Sequence, residues 1–304
     1  MIEIIKTLVS DYTFQTVVMG SALLGIISGL LGSFSVLKKQ SLIGDGISHA
    51  ALPGIAAAFL LTGNKSTEIM LAGAFASGLT ATALIFFIIK NSVLKFDSVL
   101  ALIMSVFFGL GLVLLTYVQK SPAASQAGLK NFIYGQASSL LERDLILMSI
   151  CGLVVLLTVF LLWKELKLFA FDKNFGETMG FSGAKLNLTL SFLTVAAIII
   201  GLQTVGVVLM SAMLIAPAVA ARQWCGSLAS MAALSAAFGA LSGITGTAAS
   251  SLIPQMPTGP AVVAAASVIA CISLIFAPGR GIISKIIIRK RNKASLKTDS
   301  KERK

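Results

Sequence analysis

The chain has little of what soluble or self-powered proteins depend on. Its 304 residues include one histidine, three cysteines, two tryptophans and seven prolines, and only 12% are charged. Soluble domains carry charge on about a quarter of their residues. With 56% hydrophobic residues and a mean hydropathy of +0.93, this composition is that of an integral membrane protein. A single histidine excludes an H-E-x-x-H pair, and with it an intramembrane metalloprotease of that type. No G-x-x-x-x-G-K-[ST] is present, since "TGNKST" at 62–67 has the wrong spacing, so the chain does not hydrolyse nucleotide through a P-loop. Energy for any work it does must come from elsewhere. Cys151, Cys225 and Cys271 stand far apart without metal or disulfide spacing and read as small core residues. The start, "MIEIIKTLVSDYTF", lacks the pattern of a cleaved signal peptide, so the first apolar segment is expected to stay in the membrane.

What is there is a series of apolar windows parted by short charged islands. They run over Phe14–Leu37, Ser41–Leu61, Ile69–Ile89, Ser98–Val118, Leu145–Trp163, Leu186–Ile200, Thr204–Ala221, Ala229–Ile253 and Ala261–Ala277. About 20 residues in a helix cross a ~30 Å hydrocarbon layer. Lipid cannot satisfy an open backbone, so the fold class is all-α, a polytopic transmembrane helix bundle of eight or nine spans. The sixth and seventh windows are short and separated only by Gly201, Leu202 and Gln203. They are two tight spans, or one span and a re-entrant piece. Cytoplasmic loops carry excess Lys and Arg. With nine spans and the N-terminus outside, 19 of the 24 basic residues fall inside and only Lys6, Lys65, Lys120, Lys130 and Arg143 outside. The basic tail after the last window, residues 285–304, therefore lies inside, where such runs fix topology and touch anionic headgroups. Small-xxx-small spacing at Gly25/Gly29 and Gly239/Gly243 predicts close helix approach.

Against this background the stretch "SLIGDGISHAALPG", 41–54, stands out. Eleven of the twelve acidic residues lie at segment ends or in loops, and Asp45 alone falls within a window. It is followed four residues later by the sole histidine, His49, on the same helical face. If the helix enters near Gln40, His49 is nine residues deep, roughly 14 Å and close to the midplane. Ionisable groups at such depth cost a few kcal/mol and line cavities, pair, or serve ion pathways. The pair either fixes helix packing through a hydrogen bond or meets a passing cation. A carboxylate and an imidazole are half of a site for Mn²⁺, Zn²⁺ or Fe²⁺, and two such helices brought together in a dimer complete it; the missing thiolate argues against copper(I). Pro53 with Gly44, Gly46 and Gly54 makes this helix easy to interrupt, which would free carbonyls to face an ion.

A second feature is "LWKELKLFAFDKNFGETMGFSGAK", 162–185, an amphipathic stretch on the cytoplasmic side. It lies on headgroups or docks into a partner's groove.

Four stretches together resemble the membrane permeases of bacterial ABC importers for manganese, zinc and iron. They are "SVLKKQSLIGDGISHAALPGIAAAFLL", "LKNFIYGQASSL" at 129–140, "VGVVLMSAMLIAPAVAARQW" at 205–224 and "PTGPAVV" at 257–263. Tyr134 departs from the family's usual phenylalanine, and the basic tail is longer than expected. The resemblance implies a type II-like importer permease at the bacterial cytoplasmic (inner) membrane. Its expected partners are a second permease subunit, identical or different, two cytoplasmic ATPase subunits and an extracytoplasmic metal-binding protein. No cofactor is expected to stay bound; manganese, then zinc, then iron is the expected cargo, and ATP hydrolysis belongs to the partner. The alternative is a self-sufficient, proton-coupled metal transporter or channel. The resemblance also assigns Asp45 and His49 to metal coordination, and Phe171, Asp172, Gly180 and Phe181, within a coupling segment of about 165–184, to ATPase contact. It makes 1–284 the permease domain and 285–304 a basic cytoplasmic tail.

Overall fold

Glycine spacing decides how these helices meet. The computed structural model describes residues 11–63, 66–119, 140, 142–253, 256–278 and 280–289. All regular structure among them is helical: α1 (Tyr12–Leu37), α2 (Ile43–Thr62), α3 (Thr67–Asn91), α4 (Phe96–Gln119), α5 (Glu142–Leu161), α6 (Trp163–Phe171), α7 (Lys173–Thr178), α8 (Gly183–Val205), α9 (Val207–Trp224), α10 (Leu228–Leu252) and α11 (Thr258–Phe276). A final helical stretch covers 282–289. "LKNFIYGQASSL" lies outside the described residues apart from Leu140.

The centre is α1, whose Leu24, Leu31 and Phe34 are fully buried. It packs against α10 along a glycine seam, where a Cβ on Gly25 would stand 2.2 Å from the Gly239 carbonyl oxygen and one on Gly243 2.5 Å from that of Ser21. The close approach lets Ser235 Oγ donate to the Gly29 carbonyl at 2.6 Å and Thr247 Oγ1 to Ser21 Oγ at 3.2 Å. Backbone proximity and interhelical hydrogen bonds replace the hydrophobic drive that lipid removes.

Contacts fix the direction of each helix. Gly25 facing Gly239 and Ser21 facing Gly243 make α10 antiparallel to α1. Lys38 bonding Asn187 and Leu24 facing Gly201 make α8 antiparallel as well. α9 runs parallel to α1, with Gly32 against the Leu214 carbonyl and Leu37 in a cleft with Arg222. Among the described residues, eight helices are long and apolar enough to cross a bilayer: α1 to α5, α8, α10 and α11. The 18-residue α9 returns beside them, antiparallel to α8.

Direction therefore reverses between α8 and α9 at one residue, Gly206, with φ +86° and ψ 167°. That corrects the expected interruption at Gly201–Gln203, which lies inside α8. Gly201 is not a turn but a packing site: a Cβ there would stand 2.4 Å from Met210 Sδ. Only glycine adopts the Gly206 conformation readily.

One end of the bundle gathers Lys38, Asn187, Phe169 and Trp163, together with Arg222 and Arg280. Arg280 Nη1 donates to the Arg222 and Cys225 carbonyls at 2.8 and 3.2 Å, satisfying the free end of α9. The opposite end carries Glu68 and Arg143, paired at 2.6 Å beside a cleft of about 260 Å³. The basic end is the cytoplasmic one by the positive-inside rule.

Candidate metal pathway site

α1 ends at Leu37, and a tight turn takes the chain to α2. Lys39 has φ +57°, Gln40 N–H donates to Ser35 O at 2.9 Å and Ile43 N–H to Gln40 O at 3.1 Å. Because the turn uses these residues, α2 starts at Ile43 instead of near Gln40. Asp45 stands in its first turn and His49 one turn on, about 9 Å along the helix. The start of α2 is nevertheless recessed. A Cβ on Gly44 would stand 3.3 Å from Ser211 Cα and 3.1 Å from a Leu214 methyl. Leu214 is ten residues from the Trp224 end of α9, about 15 Å along that helix.

The structure brings Asp45 and His49 together, with Oδ1 3.5 Å from Nε2. Their side chains are 36% and 20% exposed, so both are reachable from outside the single chain. Leu100 of α4 packs over Gly46, and the Phe108 ring meets the imidazole edge-on with centroids 4.8 Å apart. His49 Nδ1 and Ser48 Oγ are buried with no hydrogen-bond partner. Orphaned polar atoms inside a membrane bundle are costly, and here they flank the one carboxylate–imidazole pair among the described residues. At that separation one cation can be held by the carboxylate and the imidazole together, an oxygen and a nitrogen donor suited to a borderline divalent metal. Two donors are too few. No group of three or more His, Cys, Asp or Glu gathers anywhere among the described residues.

α2 is not interrupted, contrary to the expectation from Pro53 and its glycines. α3 supports it instead: Gly54 and Gly73 approach so closely that a Cβ on either would stand within 2.4 Å of the other's carbonyl oxygen. Ser77 Oγ then donates to the Ala50 carbonyl at 2.6 Å, next to the carbonyl deprived of its donor by the proline.

At the cytoplasmic end the amphipathic stretch is two helices rather than one. Asp172 ends α6 and caps α7, its Oδ1 accepting from Phe175 N–H at 2.9 Å. Gly180, with φ +87°, lets Phe181 N–H turn back to the Gly176 carbonyl at 3.1 Å. Two of the four predicted contact residues thus shape the segment, while Phe171 and Phe181 are exposed, as are Phe175 and Met179. The sequence reading missed Phe108 and Ser77, which sit on neighbouring helices with no motif to mark them. It also missed Lys38, whose ammonium hydrogen-bonds Asn187 and lies 5.1 Å over the Phe169 ring.

A bundle of eight or more helices, each apolar and long enough to cross a bilayer, is a multi-pass membrane protein. This chain belongs to the ABC 3 transport family, which it matches over residues 10–277. It is 49% identical over 284 residues to the zinc transport system membrane protein TroC of Treponema pallidum, covering 93% of this chain and 95% of that one. It is 45% identical over 273 residues to the manganese transport system membrane protein MntC of Bacillus subtilis, covering 90% of this chain and 63% of that longer protein. In three dimensions it resembles PsaBC from Streptococcus pneumoniae in complex with Fab, at a TM-score of 0.80 and 31% identity, over 92% of this chain and 98% of that one.

Proposed function

We propose that this chain is the permease subunit of an ATP-driven importer of divalent transition metal ions at the bacterial cytoplasmic membrane. The observation that carries the reading is the Asp45–His49 pair, 3.5 Å apart and accessible on a span that begins inside the bundle. In this reading residues 1–284 form the permease domain and 285–304 a cytoplasmic tail. A polar pair cannot face lipid without cost, so the exposed face of α2 meets either a second permease subunit or water. Two facing copies supply two imidazole nitrogens and two to four carboxylate oxygens. That donor set suits all three metals; manganese is the first choice of cargo, zinc the second and iron the third, since Mn²⁺ binds such donors most weakly and is most easily released. Relatives named for zinc and for manganese support the two leading candidates.

The sequence carries no P-loop, and Phe171, Asp172, Gly180 and Phe181 form the surface that meets a separate cytoplasmic ATPase. Nucleotide binding there shifts the bundle between outward and inward states by differential contact with α6 and α7. An extracytoplasmic metal-binding protein delivers the ion at the opposite end. Reconstitution of the permease with its ATPase and binding protein in vesicles tests this. ATP-dependent uptake of Mn²⁺ or Zn²⁺ is expected; uptake by the permease alone under a proton gradient would identify a self-sufficient transporter instead.

A further inference from the structure

We propose that Lys38 is a positioning residue that ties the coupling segment to the metal-holding helix. The proposal rests on the permease reading and deepens it.

α6 packs on α1, α5, α7 and α8 but has no comparable contact with α2. A displacement of α6 must therefore reach Asp45 and His49 through an intermediary, and Lys38 stands at that point. It caps α1, and its half-buried side chain contacts two other elements at once. The ammonium lies 5.1 Å over the Phe169 ring of α6 and donates to Asn187 Oδ1 near the start of α8. One turn earlier, Phe34 meets Trp163 of α6 edge-on, with centroids 5.8 Å apart. In the other direction only the Lys39–Leu42 turn separates Lys38 from α2. That turn is stiff: Lys39 holds a left-handed conformation, and hydrogen bonds from Gln40 to Ser35 and from Ile43 to Gln40 brace it.

The chemistry suits a link that is made and released. An amide oxygen and an aromatic face each hold an ammonium by moderate contacts. Movement of Phe169 by a side chain's width withdraws the aromatic face from the ammonium, and the strain passes along the turn to the first turn of α2. Lys38 touches no metal and acts only through α2.

The test uses the full complex of permease, ATPase and binding protein in vesicles. Metal uptake and ATP hydrolysis are measured together, with Mn²⁺ and Zn²⁺ as probes. Lys38→Met keeps the stem and removes the ammonium from Asn187 and Phe169; Lys38→Arg keeps the cation. Lys38→Met is expected to keep wild-type hydrolysis while metal moved per ATP falls roughly 3- to 30-fold, and Lys38→Arg to restore most of the ratio. A wild-type ratio in Lys38→Met overturns the proposal, as does a loss of hydrolysis and uptake in step. If Lys38→Met fails to assemble, Phe169→Leu and Asn187→Ala remove the partners singly and must lower the same ratio. A wild-type complex with no ATP-driven uptake of either metal would overturn the permease reading itself, and this proposal with it.

Discussion

The seam between α1 and α10 and the first two turns of α2 both depend on glycine, to opposite ends. In the seam, Gly25, Gly29, Gly239 and Gly243 remove side chains so that two backbones touch, and the polar groups there, Ser235 and Thr247, are satisfied across the contact. In α2, Gly44 and Gly46 admit Leu214 and Leu100, yet His49 Nδ1 and Ser48 Oγ stay unpartnered and the Asp45–His49 pair is partly exposed. One region has all its bonds made within the chain; the other keeps bonding capacity in reserve. A region complete in itself holds the fold, and an incomplete one waits for something from outside.

The contrast can be broken at either end. Gly25→Leu should have the largest effect. Its side chain begins 2.2 Å from a backbone carbonyl that cannot rotate away, at a cost of about 3 kcal/mol or more. Loss of monodisperse protein after detergent extraction is expected. His49→Ala and Asp45→Asn should leave yield and thermal stability near wild type while lowering metal uptake in the reconstituted complex. Loss of even an outer partner of a metal ligand costs about 10- to 100-fold, so loss of a ligand should cost at least that. If they cut yield as Gly25→Leu does, the pair is a packing element and the contrast fails. Ser77→Ala sharpens the comparison. It removes the Ala50 carbonyl's added donor beside Pro53 and should cost about 1 kcal/mol, seen as a lower unfolding temperature with uptake largely kept. Arg143→Ala should do least, because the pair with Glu68 is well exposed; the shift should stay below about 1 kcal/mol.

Much of the fold was legible because lipid leaves few options. Each apolar window became a helix with ends displaced by a few residues, and alternating the loops by charge put Lys38, Arg222 and Arg280 at one end and Arg143 at the other, as the structure has them. The break between α8 and α9 was misplaced because Gly201 and Gly206 look alike in sequence: one lets Met210 approach, the other turns the chain. The α2 start was misplaced because nothing in the lysines announces a left-handed Lys39. Pro53 suggested a break, but α2 runs on through it, with Gly54 packed against Gly73 and Ser77, 24 residues away, bonding the neighbouring Ala50 carbonyl. Of the candidate site, the Asp45–His49 spacing was readable from helical periodicity. Phe108 and the Lys38–Phe169 contact were not, since pairing between distant helices leaves no local trace.

The reversal at Gly206 also bears on how this protein can be handled. Two antiparallel helices joined by a single residue leave no slack at that corner, so an epitope tag or protease site inserted there would pry α8 from α9. Gly63, which ends α2 in a left-handed conformation with no heavy atom within 4 Å of where a Cβ would sit, is by contrast a position where an added label has room.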